Sequence, residues 1–155
     1  MSLTFNSVLI IDEMPLIVVG LRETLRSVHP AVQIDHADHV LTALSSSESQ
    51  TRSYDLIILG SGEEGFLGSG EAHSTDGYLL SAAELKAKYP GARIMIYTED
   101  YDPVLISKIG DGIDACIHKH EGADEIRTAW YRLLQGECYL SPMLHSLYVL
   151  YRLNR

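Results

Sequence analysis

Apolar and polar positions along this chain fall in blocks rather than residue by residue. Val8-Leu9-Ile10-Ile11 and Leu56-Ile57-Ile58-Leu59 are apolar runs too short for helices and too uniform for strands wet on one face, so they read as buried strands. Gly60-Ser61-Gly62 breaks the chain directly after the second run. Segments 92–97 and 114–118 repeat the strand pattern, and 31–35 is a weaker version of it. Between these runs the spacing becomes helical. Pro15 suits a first helical position and opens a helix over 16–27. Val40, Leu41 and Leu44 give a short helix that ends in the cluster Ser45-Ser46-Ser47. Further helices are predicted over 79–88, stopped by Pro90-Gly91, and over 103–109, stopped by Gly110 and Gly112. Ile126, Ala129, Trp130 and Leu133 place one face of a last helix on the sheet before Gly136 ends it. Five strands alternating with five helices imply parallel pairing through right-handed crossovers, hence a doubly wound α/β fold with helices on both faces.

Two stretches stand apart from this alternation. Residues 60–77 carry glycine at positions 60, 62, 65, 68, 70 and 77, with little apolar surface to bury, and read as a long mobile loop. Beyond Gly136, Ser141-Pro142 is a cap and first-turn pair, and Leu144, Leu147, Tyr148 and Tyr151 make the stripe of a short amphipathic helix. The expected organisation is a tail over 1–6, whose Met1-Ser2-Leu3 is a candidate expression remnant, one domain over 7–136, and a linker helix over 137–155.

Composition narrows the function classes. The 155 residues suffice for one domain, 46% of them are hydrophobic, and no apolar run approaches the roughly 20 residues that span a membrane. With no secretory leader pattern, the expected location is the cytoplasm. A net charge of -9 argues against direct nucleic-acid binding, which needs a basic face. Cys116 and Cys138 are too few for a disulfide framework, and the pairs His36/His39 and His118/His120 complete no zinc spacing.

Chemistry in a parallel sheet gathers outside the carboxyl ends of the strands. The residues there are Asp12 and Glu13 after the first strand, Gly60 after the third, Thr98 with Glu99 after the fourth, and Lys119 after the fifth. Adjacent carboxylates suit magnesium, and a hydroxyl with an ammonium suits the oxygens of a phosphoryl group. The nucleophile is missing.

At these positions the chain resembles the receiver domain of two-component response regulators, in particular those with a LuxR-like helix-turn-helix output. The resemblance is carried by the run from Val8 to Asp12-Glu13-Met14-Pro15, by Tyr54-Asp55 with the following strand, by Asp76-Gly77, Tyr97-Thr98 and Lys119, and by Gly136-Glu137-Cys138-Tyr139-Leu140-Ser141-Pro142. It covers about residues 7 to 142. It implies a CheY-like, flavodoxin-like sheet of order 2-1-3-4-5, magnesium ligands at Asp12 and Glu13, phosphoryl-binding groups at Thr98 and Lys119, and a phosphate-accepting aspartate at position 60.

Position 60 is glycine, which has no carboxylate to phosphorylate or to ligate a metal. Three further departures agree: Glu99 replaces a small residue, Cys116 stands where the family has a switching aromatic, and extra residues precede Asp76-Gly77. Magnesium binding is therefore expected to be weak, with Lys119 paired to Asp12, Glu13 or Glu99. No other cofactor is implied.

Leu16-Ile17-Val18-Val19-Gly20-Leu21 is too continuously apolar for every residue to face the sheet. Because the family commonly dimerises through its first and last helices, Ile17, Val18 and Val19, with Tyr131 and Leu134, are the expected dimer or partner surface. The expectation is a non-enzymatic, degenerate receiver acting without phosphorylation, as a homodimer or with a sensor kinase or other regulatory protein. DNA would be met only through a further C-terminal domain, and no membrane is involved. Two alternatives are a phospho-switch with a substitute acceptor such as Glu63 or Glu64, and a small phosphotransferase or nucleotide-binding enzyme. The latter needs a nucleophile or a phosphate-cradling loop at a strand end, and neither is visible.

Overall fold

The computed structural model describes residues 4–45, 53–60 and 74–154, with nothing said of the side chains of 74–76. In chain order it contains β1 (Ser7–Ile11), α1 (Pro15–Val28), β2 (Gln33–Ala37), α2 (Val40–Ser45), β3 (Leu56–Leu59), α3 (Ser74–Lys88), β4 (Arg93–Thr98), α4 (Pro103–Ser107), β5 (Ala115–His118), α5 (Ala123–Leu134), β6 (Tyr139–Leu140) and α6 (Pro142–Leu153). All strand pairs are parallel, in the order β2-β1-β3-β4-β5-β6.

The sheet is apolar on both faces because each face carries its own core. Val8, Ile10, Ile58, Met95 and Ile117 meet Leu21 and Leu25 of α1 and Ile126 and Trp130 of α5. Leu9, Ile57, Ile94 and Ile96 point the other way, against Ala43 of α2, Leu85 of α3 and Ile106 of α4. Both cores end at the carboxyl edge, where the polar residues begin.

The sixth strand was not expected. Only two residues long, it forms because the chain leaving Gly136, at φ +80°, runs back along β5, where the Tyr139 N–H donates to Asp114 O and the Ser141 N–H to Cys116 O, each at 3.0 Å. This contact seats α6. Leu144 is buried in the second core, and the Tyr101 hydroxyl donates to Leu147 O at 3.0 Å, so the segment predicted as a linker is packed on the body.

Other differences are local. β2 begins at Gln33 rather than 31 because the Val32 N–H is taken by His29 O in the preceding turn. β3 coincides with the apolar run Leu56–Leu59, and the Asp55 carboxylate just before it accepts the Asn6 and Ser7 N–H groups. Helix α3 starts at Ser74, several residues before the predicted 79, and takes in Asp76-Gly77. The central part of the predicted mobile loop, Glu63 and Glu64 included, lies outside the described residues, as do Met1, Ser2, Leu3, Ser46 and Ser47.

Candidate functional site

Four parallel strand ends supply the site, and the order of the sheet sets β1 and β3 side by side. Asp12 follows β1 directly and is fully buried. Its Oδ1 accepts the Met14 N–H at 2.8 Å, and its Oδ2 accepts Lys119 Nζ at 3.0 Å. Lys119, whose side chain is 10% exposed, also donates to Gly60 O at 2.5 Å. The ammonium thereby joins the ends of β1, β3 and β5. Below it lies the Tyr97 ring, with its centroid 5.9 Å from Nζ.

Gly60 is held in place by its own N–H, which donates to Ile11 O at 2.7 Å. A Cβ added here would lie 3.1 Å from Asp12 Cγ and 3.3 Å from Asp12 Cβ, and would overlap Oδ2 outright. The Asp12 carboxylate thus occupies the place where a side chain at position 60 would begin. The absent residue has left no room behind.

On the opposite side Tyr78, from the first turn of α3, is buried with its hydroxyl donating to Gly60 O at 3.5 Å and hydrogen-bonded to the Thr98 side chain. Burial raises the Tyr78 pKa well above that of a free phenol, so the ring is a neutral filler. Thr98, itself buried, accepts the Asp100 N–H at 3.0 Å. Cys116 is buried in β5 as a free thiol whose pKa burial pushes up to about 12, which excludes a reactive thiolate. Glu13 and Glu99 lie exposed at the rim.

These residues do not fit a magnesium ion. A hard cation needs several oxygen ligands free to turn towards it, whereas Asp12 has one oxygen committed to a backbone N–H and the other to an ammonium. Among the described residues no group of three His, Cys, Asp or Glu side chains could hold a metal ion. Asp12, Gly60, Thr98 and Lys119 do come together, and Tyr78 joins them. Its one sequence signal was an aromatic residue directly after Asp76-Gly77.

The expected partner surface needs correction at one position. Val18 is 6% exposed and packs in the core with Leu21 and Leu25, while Ile17 and Leu134 are half-buried against the same core. At 3.6 residues per turn the outward stripe instead runs through Leu16, 84% exposed, Val19, 57% exposed, and Gly20. Tyr131 is exposed, as expected.

No family profile and no curated protein sequence matches the chain. Solved structures do. The isolated REC domain of RcsB from Salmonella enterica serovar Typhimurium aligns with a TM-score of 0.70 over 94% of this chain and 99% of its own, at 18% identity. The chain has the receiver-domain fold. A LuxR family DNA-binding response regulator from Silicibacter pomeroyi aligns at TM-score 0.66 and 23% identity, over 90% of this chain and 98% of that one. A longer RcsB response regulator chain from Salmonella typhimurium reaches 0.72 at 17% identity, over 94% of this chain; the receiver fold here spans 66% of that chain's length. Among the described residues no helix is long and apolar enough to cross a membrane.

Proposed function

We propose that the chain is a degenerate receiver module of a cytoplasmic transcriptional response regulator, one that signals through protein contacts and not through an aspartyl phosphate. The observation that carries this reading is the position of Asp12. Its carboxylate fills the origin of the missing acceptor's side chain and is tied to Lys119, which leaves no carboxylate acceptor at position 60. Phosphoryl transfer needs a carboxylate acceptor, carboxylate oxygens free to ligate a cation and a free ammonium; at position 60 there is no acceptor, and Asp12 and Lys119 are committed to each other. The module is then a regulatory body and not an enzyme. Homodimerisation, or contact with a regulatory protein, is the output consistent with the exposed apolar stripe of α1. RcsB has been solved as two dimers on two parallel DNAs. By analogy, contact with DNA in this reading belongs to a further domain and not to this acidic one.

The test is incubation of the chain with acetyl phosphate, and separately with beryllium fluoride and magnesium, followed by intact mass and sedimentation. An unchanged mass and an unchanged assembly are expected. A gain of one phosphoryl group, or a fluoride-dependent change of assembly, would restore the reading in which a substitute residue accepts phosphate.

A further inference from the structure

Between α1, the first turn of α5 and the end of β4 lies a half-open cavity of about 220 Å³. Leu16, Ile17 and Gly20 form its α1 wall, Ala123 and Ile126 its α5 wall, and Tyr97 its third side. The hollow exceeds the roughly 150 Å³ that takes up benzene in a protein core, and falls short of the roughly 300 Å³ at which pockets for drug-sized ligands begin. One aromatic ring with a short substituent, about nine or ten non-hydrogen atoms, matches that space. A rigid ring also fills such a slot without the ordering cost of a flexible chain.

Gly20 stands in the interior of a 14-residue helix, where glycine is the least favourable residue after proline. Its φ is not positive, and a Cβ added to it meets nothing within 4 Å, so no contact inside the chain requires a glycine there. What a larger side chain at this wall position would take up is space in the hollow. The polar groups narrow the occupant further. The Thr24 hydroxyl, also at the wall, already donates to Gly20 O at 2.8 Å. Tyr97 is only 9% exposed, yet its hydroxyl has no hydrogen-bond partner among the described residues, whereas a buried phenol ordinarily finds one. Burial raises its pKa, which keeps the proton on the oxygen and leaves a donor beside the cavity. Among the described residues no charged side chain lines the hollow. The ions at the strand ends and in the α5 turn are paired with each other, Asp12 with Lys119 and Asp124 with Arg127, so no counterion is left for a charged occupant.

We infer that this cavity is a binding site for a small, neutral aromatic molecule carrying one hydrogen-bond acceptor, its ring between α1 and α5 and its acceptor on the Tyr97 hydroxyl. The inference goes beyond the contact-driven reading and does not depend on it. Leu16 and Gly20 also belong to the outward stripe of α1, so an occupant here alters the surface which that stripe presents.

Amide NMR spectra of the isotope-labelled 155-residue chain, titrated with acetophenone, test it. Saturable shifts centred on Gly20, Tyr97, Ala123 and Ile126 are expected, with a dissociation constant on the order of 1 mM. Gly20→Leu, which fills the hollow, is expected to weaken binding by about tenfold or more. Tyr97→Phe should weaken acetophenone about threefold to tenfold, the worth of one hydrogen bond, and leave ethylbenzene, which has no acceptor, unaffected. Circular dichroism and thermal midpoints of both variants check that the fold is intact. Shifts that are absent, scattered over the surface or undiminished in Gly20→Leu would overturn the site. An equal response of the two probes to Tyr97→Phe, or benzoate binding as tightly as acetophenone, would overturn the chemistry assigned to its occupant. The phosphoryl-transfer assay bears only on the functional reading, so the two can fail separately.

Discussion

Replacing Lys119 with methionine keeps the side chain's length and removes its charge, leaving the Asp12 carboxylate buried with a single N–H donor. Removing one partner of a buried ion pair generally costs about 3–5 kcal/mol, because the remaining charge has lost both water and its counterion. Asp12 is fully buried and Lys119 nearly so, but the Met14 N–H stays in place, which puts the expected loss at the lower end, about 3 kcal/mol. For a chain of 155 residues that lowers the thermal midpoint by about 6–12 °C. Urea denaturation at pH 7.5 measures it directly. Asp12→Asn/Lys119→Met should be more stable than Lys119→Met alone. A loss below about 1 kcal/mol, or a double variant less stable than the single one, would show that the lysine is not the buried counterion described here.

Gly60→Ala is expected to destabilise by about 1–3 kcal/mol, since its methyl must displace a carboxylate fixed by two hydrogen bonds; calorimetry of the variant decides. Leu144→Ala should cost about 2–4 kcal/mol by the same measurement, as a core leucine does and a linker residue does not. Tyr78 and Cys116 are both neutral when folded, with pKa values raised by burial, so their contribution is present below the unfolded values of 10.0 and 9.0 and is lost as pH rises beyond them. Thermal midpoints should therefore fall between pH 9 and 11, less steeply in Tyr78→Phe; a flat profile in the wild type would contradict the burial of both groups.

The strands were legible because a parallel sheet buried on both faces demands uninterrupted apolar runs, and such runs are visible without any partner. Most of the pocket was legible for a related reason: strand ends position side chains through the backbone, so Asp12, Gly60, Thr98 and Lys119 converge once the sheet order is known. Tyr78 was not, because its place depends on where α3 begins, and glycine-rich sequence conceals helix starts. Nor was Val18, since a helix apolar on nearly every side gives no phase; tertiary packing, led by Leu21 and Leu25, chose its inner face. β6 escaped notice because two residues carry no periodicity.

The Lys119 ammonium has a mechanical consequence. By gripping Asp12 and the Gly60 carbonyl it cross-braces the first, third and fifth strands at the end of the sheet where loops emerge. Open α/β sheets commonly fray at that margin, and ligand-binding segments are drawn from the regions that open most easily. Here the margin is riveted. Amide protons of Gly60 and Lys119, bonded to Ile11 O and Thr98 O at 2.7 Å each, belong with the slowest-exchanging protons of the molecule. Compliance is displaced towards the outer helices, and shape changes of this body would begin at its periphery.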